Sequence, residues 1–337
     1  MAGDIGDGGP LLRHQAATIL GELLGPGSRC ALVDFPMHAN IGDSAIWLGE
    51  RALLGGLGVE IGYTCGGASF SAQDLATRLP AGVILIHGGG NLGDLWPHHQ
   101  HLRERIIRCF PTHRIIQLPQ SIHFRRQATL DRARAVFNAH PDLTLLVRDR
   151  HSYQLARTEF RARTVLCPDL ACGISKLPEL ARPELDVLWL ARDDHESTRR
   201  RLPDVGAGVL VTDWTGEQGA DPLHRDQLTA AHLGCHLAAH EFSLRPDDDR
   251  LRALCQNYDQ HATLQLVRGC RLLSRGRSVV TDRLHGHLLS LLLGLPHVIL
   301  DDRYCKIRNF WRTWTSQSPL ARWADTPHEA LELSART

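Results

Sequence analysis

The sequence predicts an α/β protein of two Rossmann-like β/α domains facing each other across a cleft. Short apolar, β-branched runs recur with helical stretches between them, the pattern of parallel strands joined by helical crossovers. At 337 residues the chain is longer than one compact domain of roughly 150 residues usually is. A segment carrying Pro178 and Pro183 divides the runs into two series. The boundaries that follow are 1–180, 181–310 and a tail of helical segments, 311–337.

The first series opens with CALVDF (30–35), a polar loop, and SAIWLGERALLGGLG (44–58), a helix on which Ile46, Leu53 and Leu54 share a face. GVILIH (82–87), RIIQL (114–118), LTLLVR (143–148) and TVLCP (164–168) are its further strands. The second series opens with DVLWLAR (186–192) and GVLVTDW (208–214). Two helical stretches follow, 226–242 and 261–276, then the strand SVVTD (278–282), a leucine-rich helix and HVILDD (297–302).

Composition excludes several classes of function. Lys and Arg total 38 against 37 Asp and Glu, with no basic stripe, which argues against a nucleic-acid partner. The longest apolar stretch, 288–300, is broken by Gly294, Pro296 and His297 and is too short to span a bilayer. The amino terminus is acidic and glycine-rich without a secretory pattern, so a cytoplasmic protein is expected. Nine cysteines lie singly, with no C-x-x-C pair, and read as reduced, mostly buried thiols.

In open α/β sheets ligands bind outside the carboxyl ends of the strands, where helix N-termini present unpaired amides. TDRLHGHLLSLLLGLP (281–296) is the sharpest such junction. Arg283 and His285 stand between a buried strand and the helix that Gly294 and Pro296 stop, a place that favours an anion. The alternative is a surface ion pair of Asp282 with Arg283 and a capping role for His285. Lys306, after the next strand, is a candidate second cation in an arginine-dominated chain. Arg148 and Arg192 also sit at strand ends, where each could clamp an anion or pair with a neighbouring aspartate.

In the first half, Asn40, Gly42, Asp43 and Ser44 occupy the turn from the first strand into its helix, where capping alone would also account for Asp43 or Ser44. HGGGNLG contains GxGxxG through Gly88, Gly90 and Gly93, but no acidic residue follows at the spacing a dinucleotide ribose needs. Backbone approach to a ligand or to the other domain explains these glycines better. His98, His99 and His101 read as solvated histidines on an exposed loop rather than metal ligands. No GxSxG elbow and no P-loop is present.

VDFPMHANIGDSAIWLGE, ILIHGGGNLGDLW, RDRHSY, CPDLA and TDRLHGHLLSLLLGLPHVILDDRYCKIRNF occur in the order seen in the polysaccharide pyruvyltransferase family. The resemblance covers residues 32–310 and is strongest to the bacterial exopolysaccharide branch. It implies a fold similar to the GT-B glycosyltransferases and transfer of the pyruvyl group of phosphoenolpyruvate onto sugar hydroxyls as a ketal. By motif it implies that Arg283, Leu284 and His285 bind the donor, with His285 as the acid, and that Lys306 holds donor phosphate or carboxylate. Arg148 falls on the family's recurrent RD element and Arg192 is grouped with the donor cations. The acceptor side falls to Asn40, Gly42, Ser44, Gly89, Gly90 and Asn91, with Asp43 as the base. No cofactor or metal is expected beyond phosphoenolpyruvate as substrate. The expected acceptor is a sugar or lipid-linked oligosaccharide, which would allow peripheral association at the inner membrane face. A nucleotide-sugar glycosyltransferase would use the same architecture, but no acidic EX7E element is visible in the C-terminal half. Against a non-catalytic sugar-binding partner stands the joint presence of Arg283, His285 and Lys306.

Overall fold

The computed structural model describes residues 8–178, 182–198, 201–215 and 222–336. The first lobe runs α1 (Gly8–Leu23), β1 (Arg29–Phe35), α2 (Ile41–Gly56), β2 (Glu60–Gly66), α3 (Ala72–Arg78), β3 (Val83–Ile86), β4 (Gly89–Gly93) and α4 (Pro97–Cys109). It continues through β5 (Arg114–His123), α5 (Gln127–Ala139), β6 (Leu143–Val147), α6 (Arg150–Glu159), β7 (Arg163–Leu166) and a 3₁₀ turn, Leu170–Gly173. The second lobe runs β8 (Leu185–Leu190), β9 (Val209–Thr212), α7 (Pro222–Leu244), α8 (Asp248–Leu273), β10 (Gly276–Thr281) and α9 (Leu284–Leu292). It ends with β11 (His297–Ile299), α10 (Lys306–Phe310), a π-helical turn (Trp311–Thr315), β12 (Ala321–Trp323) and α11 (Pro327–Ser334).

The first sheet is ordered β2-β1-β3-β5-β6-β7, with β4 paired to the far half of β5, and the second β12-β11-β10-β8-β9. Every described strand pair is parallel. Each sheet reverses its direction of growth once, between β1 and β3 in the first lobe and between β8 and β10 in the second. These are the points where an open α/β sheet leaves a crevice at its carboxyl edge, and in this chain the two crevices face each other. No described helix is long and apolar enough to cross a membrane.

Three strands lie outside the runs that read as strands. EIGYTCG forms β2, whose glycines mask its alternation. The glycine-rich turn itself forms β4. ARW forms β12, an edge strand of the second sheet within a tail expected to be helical. The His98–His99–His101 stretch is the first turn of α4, with Pro97 at its first position, rather than an exposed loop.

The lobes share a core. One apolar cluster runs from the first sheet through α2 and α8 to α9, and only a smaller group around Trp189, Val280 and Val298 packs on the outer face of the second sheet. At the seam, Tyr258 of α8 stacks on Phe35 at the end of β1, with centroids 3.9 Å apart and planes 6° from parallel. Its hydroxyl accepts from the Gly66 amide. One residue on, Asp259 accepts from Trp47 Nε1 at 2.9 Å and pairs with Arg51 at 3.0 Å.

Beneath α9 a proton-ordered chain links three elements. His297 Nδ1 lies 2.8 Å from the Leu295 carbonyl, which can only accept, so Nδ1 carries the hydrogen and Nε2 is bare. His287 Nδ1 therefore donates to His297 Nε2 at 2.7 Å, and His287 Nε2 accepts from the Thr315 hydroxyl at 2.8 Å. Both rings are neutral: burial lowers His297 to about 4 and His287 well below its ordinary value. In that window the unfolded chain binds more protons than the folded one, so stability falls as pH falls. Thermal melts should show the loss beginning near pH 6.5 and reaching about 2 kcal/mol from His297 alone by pH 5. A flat profile from pH 7.5 to 4.5 would contradict the neutral pair.

Candidate active site

Arg148 directly follows β6, and Asp149 behind it caps α6 by accepting from Ser152 N, which fixes where the arginine leaves the strand. The guanidinium is buried, donating to Ser121 Oγ at 3.0 Å and to Asp169 Oδ2 at 2.6 Å. Asp169 follows β7 and caps the 3₁₀ turn, with Oδ1 accepting from Ala171 N at 2.9 Å. Its Oδ2 also lies 3.3 Å from His285 Nε2. Burial alone would raise the Asp169 carboxyl, but His285 and Arg148 hold it far below its usual range.

His285 sits in the first turn of α9, which starts right after Arg283 because the Thr281 hydroxyl accepts from Arg283 N and ends the strand. Arg283 is 2 % exposed and His285 8 % exposed. The anticipated alternative of an Asp282–Arg283 surface pair does not occur. Asp282 accepts instead from the Arg192 amide at 2.6 Å, and Arg283 Nε donates to Asp213 Oδ1 at 2.6 Å with Nη2 on Oδ2. The Arg283 guanidinium also lies over the Trp214 ring, 5.5 Å from its centroid.

Lys306, the first residue of α10, reaches across the cleft: Nζ donates to Glu196 Oε2 at 2.8 Å and to the Gly90 carbonyl at 3.1 Å. Arg192, just after β8, pairs with Glu196 and lies 3.4 Å from Asp194 and 3.7 Å from Asp302. Burial pushes the Asp302 carboxyl up to about 6. Gly90 leaves room for two cations, since an added Cβ would lie 2.8 Å from Arg148 Nη2 and 3.3 Å from Lys306 Nζ.

The cations, His285 and the acids Asp194, Glu196 and Asp302 line one cavity of about 400 Å³ between the two crevices, with Asp169 and Asp213 behind its wall. Of the residues expected on the donor side, Arg148, Arg192, Arg283, Leu284, His285 and Lys306 all reach its wall. On the other side Asn40, Asp43, Gly90 and Asn91 do so. Asn40 caps α2 and donates to Asp43 Oδ2 at 2.8 Å. Burial would raise the Asp43 carboxyl, but His38 and His285 hold it below its ordinary range, so it is ionised. Asn91 Oδ1 accepts from Gln120 and Arg103, which leaves its amide N–H groups for the cavity.

Three residues expected at the acceptor surface do not line it. Ser44 is fully buried, because one step along a helix turns a side chain by about 100° and sends it behind Asp43 into the core. Gly42 lies behind the wall and makes room for His285: a Cβ there would come within 2.2 Å of Nδ1. Gly89 has φ +131° and supports the loop under Asp43. His99 is not solvated, since its Nδ1 lies 2.7 Å from Asp34, and with His98 it lines the cavity.

The residues that sequence reasoning missed are mostly acids. Every cation of the site carries a carboxylate: Arg148, Arg283 and Lys306 take Asp169, Asp213 and Glu196 from distant parts of the chain, whereas Arg192 pairs within its own loop with Asp194 and Glu196, as its neighbouring acids allowed, and lies near Asp302. The acidic run ARDDHES immediately after a strand was the available signal for two of them. Below the glycine loop, His87 lies 2.8 Å from Glu50. Burial opposes its charge, yet Glu50 and the nearby Asp43 and Asp34 push it up to about 9.

A family model described as polysaccharide pyruvyl transferase matches residues 40–303. The chain is 36% identical over 298 residues to Pyruvyl transferase 1 of Schizosaccharomyces pombe, covering 85% of this chain and 69% of that one. It is 29% identical over 313 residues to the putative pyruvyl transferase EpsO of Bacillus subtilis, covering 92% of each. Among solved structures it is similar to a functionally uncharacterized protein of Klebsiella pneumoniae, with a TM-score of 0.54 and 13% identity over 94% of this chain and 99% of that one. That last likeness concerns the fold alone.

Proposed function

The chain belongs to the polysaccharide pyruvyl transferase family, and from that premise we propose that it moves the pyruvyl group of phosphoenolpyruvate onto two hydroxyls of a sugar, closing a ketal and releasing phosphate. The observation that carries this reading is the convergence of Arg148, Arg192, Arg283, Lys306 and His285 on one small cavity. A donor bearing a phosphate and a carboxylate a few ångströms apart needs such a set.

In this reading the protonated His285 gives its proton to the methylene carbon of the donor, and C2 becomes an oxocarbenium-like centre. A sugar hydroxyl attacks C2 and loses its proton to Asp43, the ionised carboxylate on the facing wall. The C2–O bond to phosphate then breaks, with Arg283 and Arg148 taking up the charge on the leaving group. The second hydroxyl attacks C2, gives its proton to the now neutral His285 and closes the ring, and the proton held by Asp43 leaves with phosphate. The acceptor is an exopolysaccharide unit or its lipid-linked precursor, and a lipid-linked acceptor would bring the protein to a membrane face.

Calorimetry and a phosphate-release assay test this reading. Phosphoenolpyruvate should bind and, with lipid-linked oligosaccharides as acceptors, release one phosphate per ketal formed, whereas UDP-sugars should neither bind nor turn over. Stabilisation by a UDP-sugar and none by phosphoenolpyruvate would overturn it.

A further inference from the structure

Three donors from three separate elements converge on the side chain of Glu196. Lys306 Nζ donates to Oε2 at 2.8 Å, Arg192 Nη1 donates to the same oxygen, and Trp96 Nε1 donates to Oε1 at 2.9 Å. The Glu196 side chain is 3 % exposed and lines the same cavity as His285. Two cations on one oxygen and an indole N–H on the other form a recognition site for a planar, two-oxygen anion, with excluded water and charge-assisted bonds. Nothing in this arrangement requires the carboxylate to come from the protein. Arg148 Nη2 and Lys306 Nζ lie 2.8 Å and 3.3 Å from the one point that a Cβ on Gly90 would occupy, so a second anionic group of the same small molecule has its cation alongside.

We propose that Lys306, Arg192 and Trp96 form the subsite for the donor's carboxylate, and that Glu196 fills it in the ligand-free protein and exchanges places with that carboxylate on binding. The inference rests on the donor assigned above. Without the exchange, the incoming carboxylate would lie against Glu196 in a water-poor cavity, where like charges repel strongly. The main chain does not need to move: Glu196 O accepts from Arg303 N at 3.0 Å and Glu196 N donates to Asp194 Oδ1 at 2.9 Å, so the exchange is a rotation of the side chain alone. Trp96 belongs to the first lobe and the two cations to the second. The substrate's carboxylate thereby takes over a bridge that Glu196 makes across the cleft.

Glu196→Gln keeps the shape and removes the resident charge. By calorimetry on the full chain, it should bind phosphoenolpyruvate about tenfold tighter than the wild type, with a clearly smaller gain for inorganic phosphate, which has no carboxylate to place. Unchanged or weaker phosphoenolpyruvate binding in a normally melting Glu196→Gln, or an equal gain for both anions, would overturn the exchange while leaving the donor assignment standing. If neither wild type nor variant binds phosphoenolpyruvate, the donor assignment falls and takes the exchange with it. A crystal structure of the wild type with phosphoenolpyruvate gives a check free of any folding effect. The donor's carboxylate should lie within hydrogen-bonding distance of Lys306 Nζ and Trp96 Nε1, and Glu196 still holding both would refute the proposal.

Discussion

Replacing His285 by alanine should lower turnover by about two to four orders of magnitude while leaving the fold largely intact. The reasoning is geometric. His285 forms part of the cavity wall, so truncation enlarges an existing space rather than opening a void in the core. Its partner Asp169 is not orphaned, because Arg148 and the Ala171 amide still bind it. Phosphate release followed alongside thermal melting separates the two effects. A His285→Ala enzyme that turns over at nearly the normal rate would remove the imidazole from the reaction.

A large loss of stability is expected from Gly49→Ala. Gly49 lies on the face of α2 that packs against the 3₁₀ turn, and a Cβ there would sit 1.8 Å from the Leu170 carbonyl oxygen and 3.1 Å from Ala171 Cα. Both are main-chain atoms, so no rotamer can relieve the overlap. The contact is tight from the other side as well, since a Cβ on Gly173 would fall 2.6 Å from the Gly49 carbonyl oxygen. Forcing the two segments apart should destabilise the protein by about 3 kcal/mol or more. Activity should fall too, because the displaced turn is the one that Asp169 caps. Gly55→Ala is the control: it lies in the same helix with nothing within 4 Å of its added Cβ, and should stabilise by about 0.5–1 kcal/mol. Equal melting temperatures for Gly49→Ala and the wild type would show that the seat is softer than drawn.

Much of this architecture was legible because strands buried on both faces read as unbroken apolar runs, which is how β1, β3, β5, β6, β8 and β10 announce themselves. The cations were legible for a related reason, since each of them follows a run of that kind or the turn after one. Apart from those of Arg192, their counterions were not. Arg283 meets Asp213 across 70 residues, Lys306 meets Glu196 across 110, and His285 meets Asp169 across 116. No local pattern encodes pairings at such separations: the first two form only when distant loops of the second lobe come together, and the third only when the two lobes meet. The division of labour between Asp43 and Ser44 was hidden for a different reason: both suit a helix start equally well, and only the direction of the helix decides which one faces the ligand.

The stack of Tyr258 on Phe35 and the bonds of Asp259 to Trp47 and Arg51 bear on how such enzymes can be recombined. A chimaera cut at the linker between the sheets would transplant α8 away from the aromatic surface it covers, leaving Phe35 and Trp47 wet in one parent and Tyr258 wet in the other. If the acceptor binds the first lobe as proposed, its specificity grafted from one relative to another would therefore have to travel as loops at the carboxyl edge of the first sheet, with the helical pair left in place.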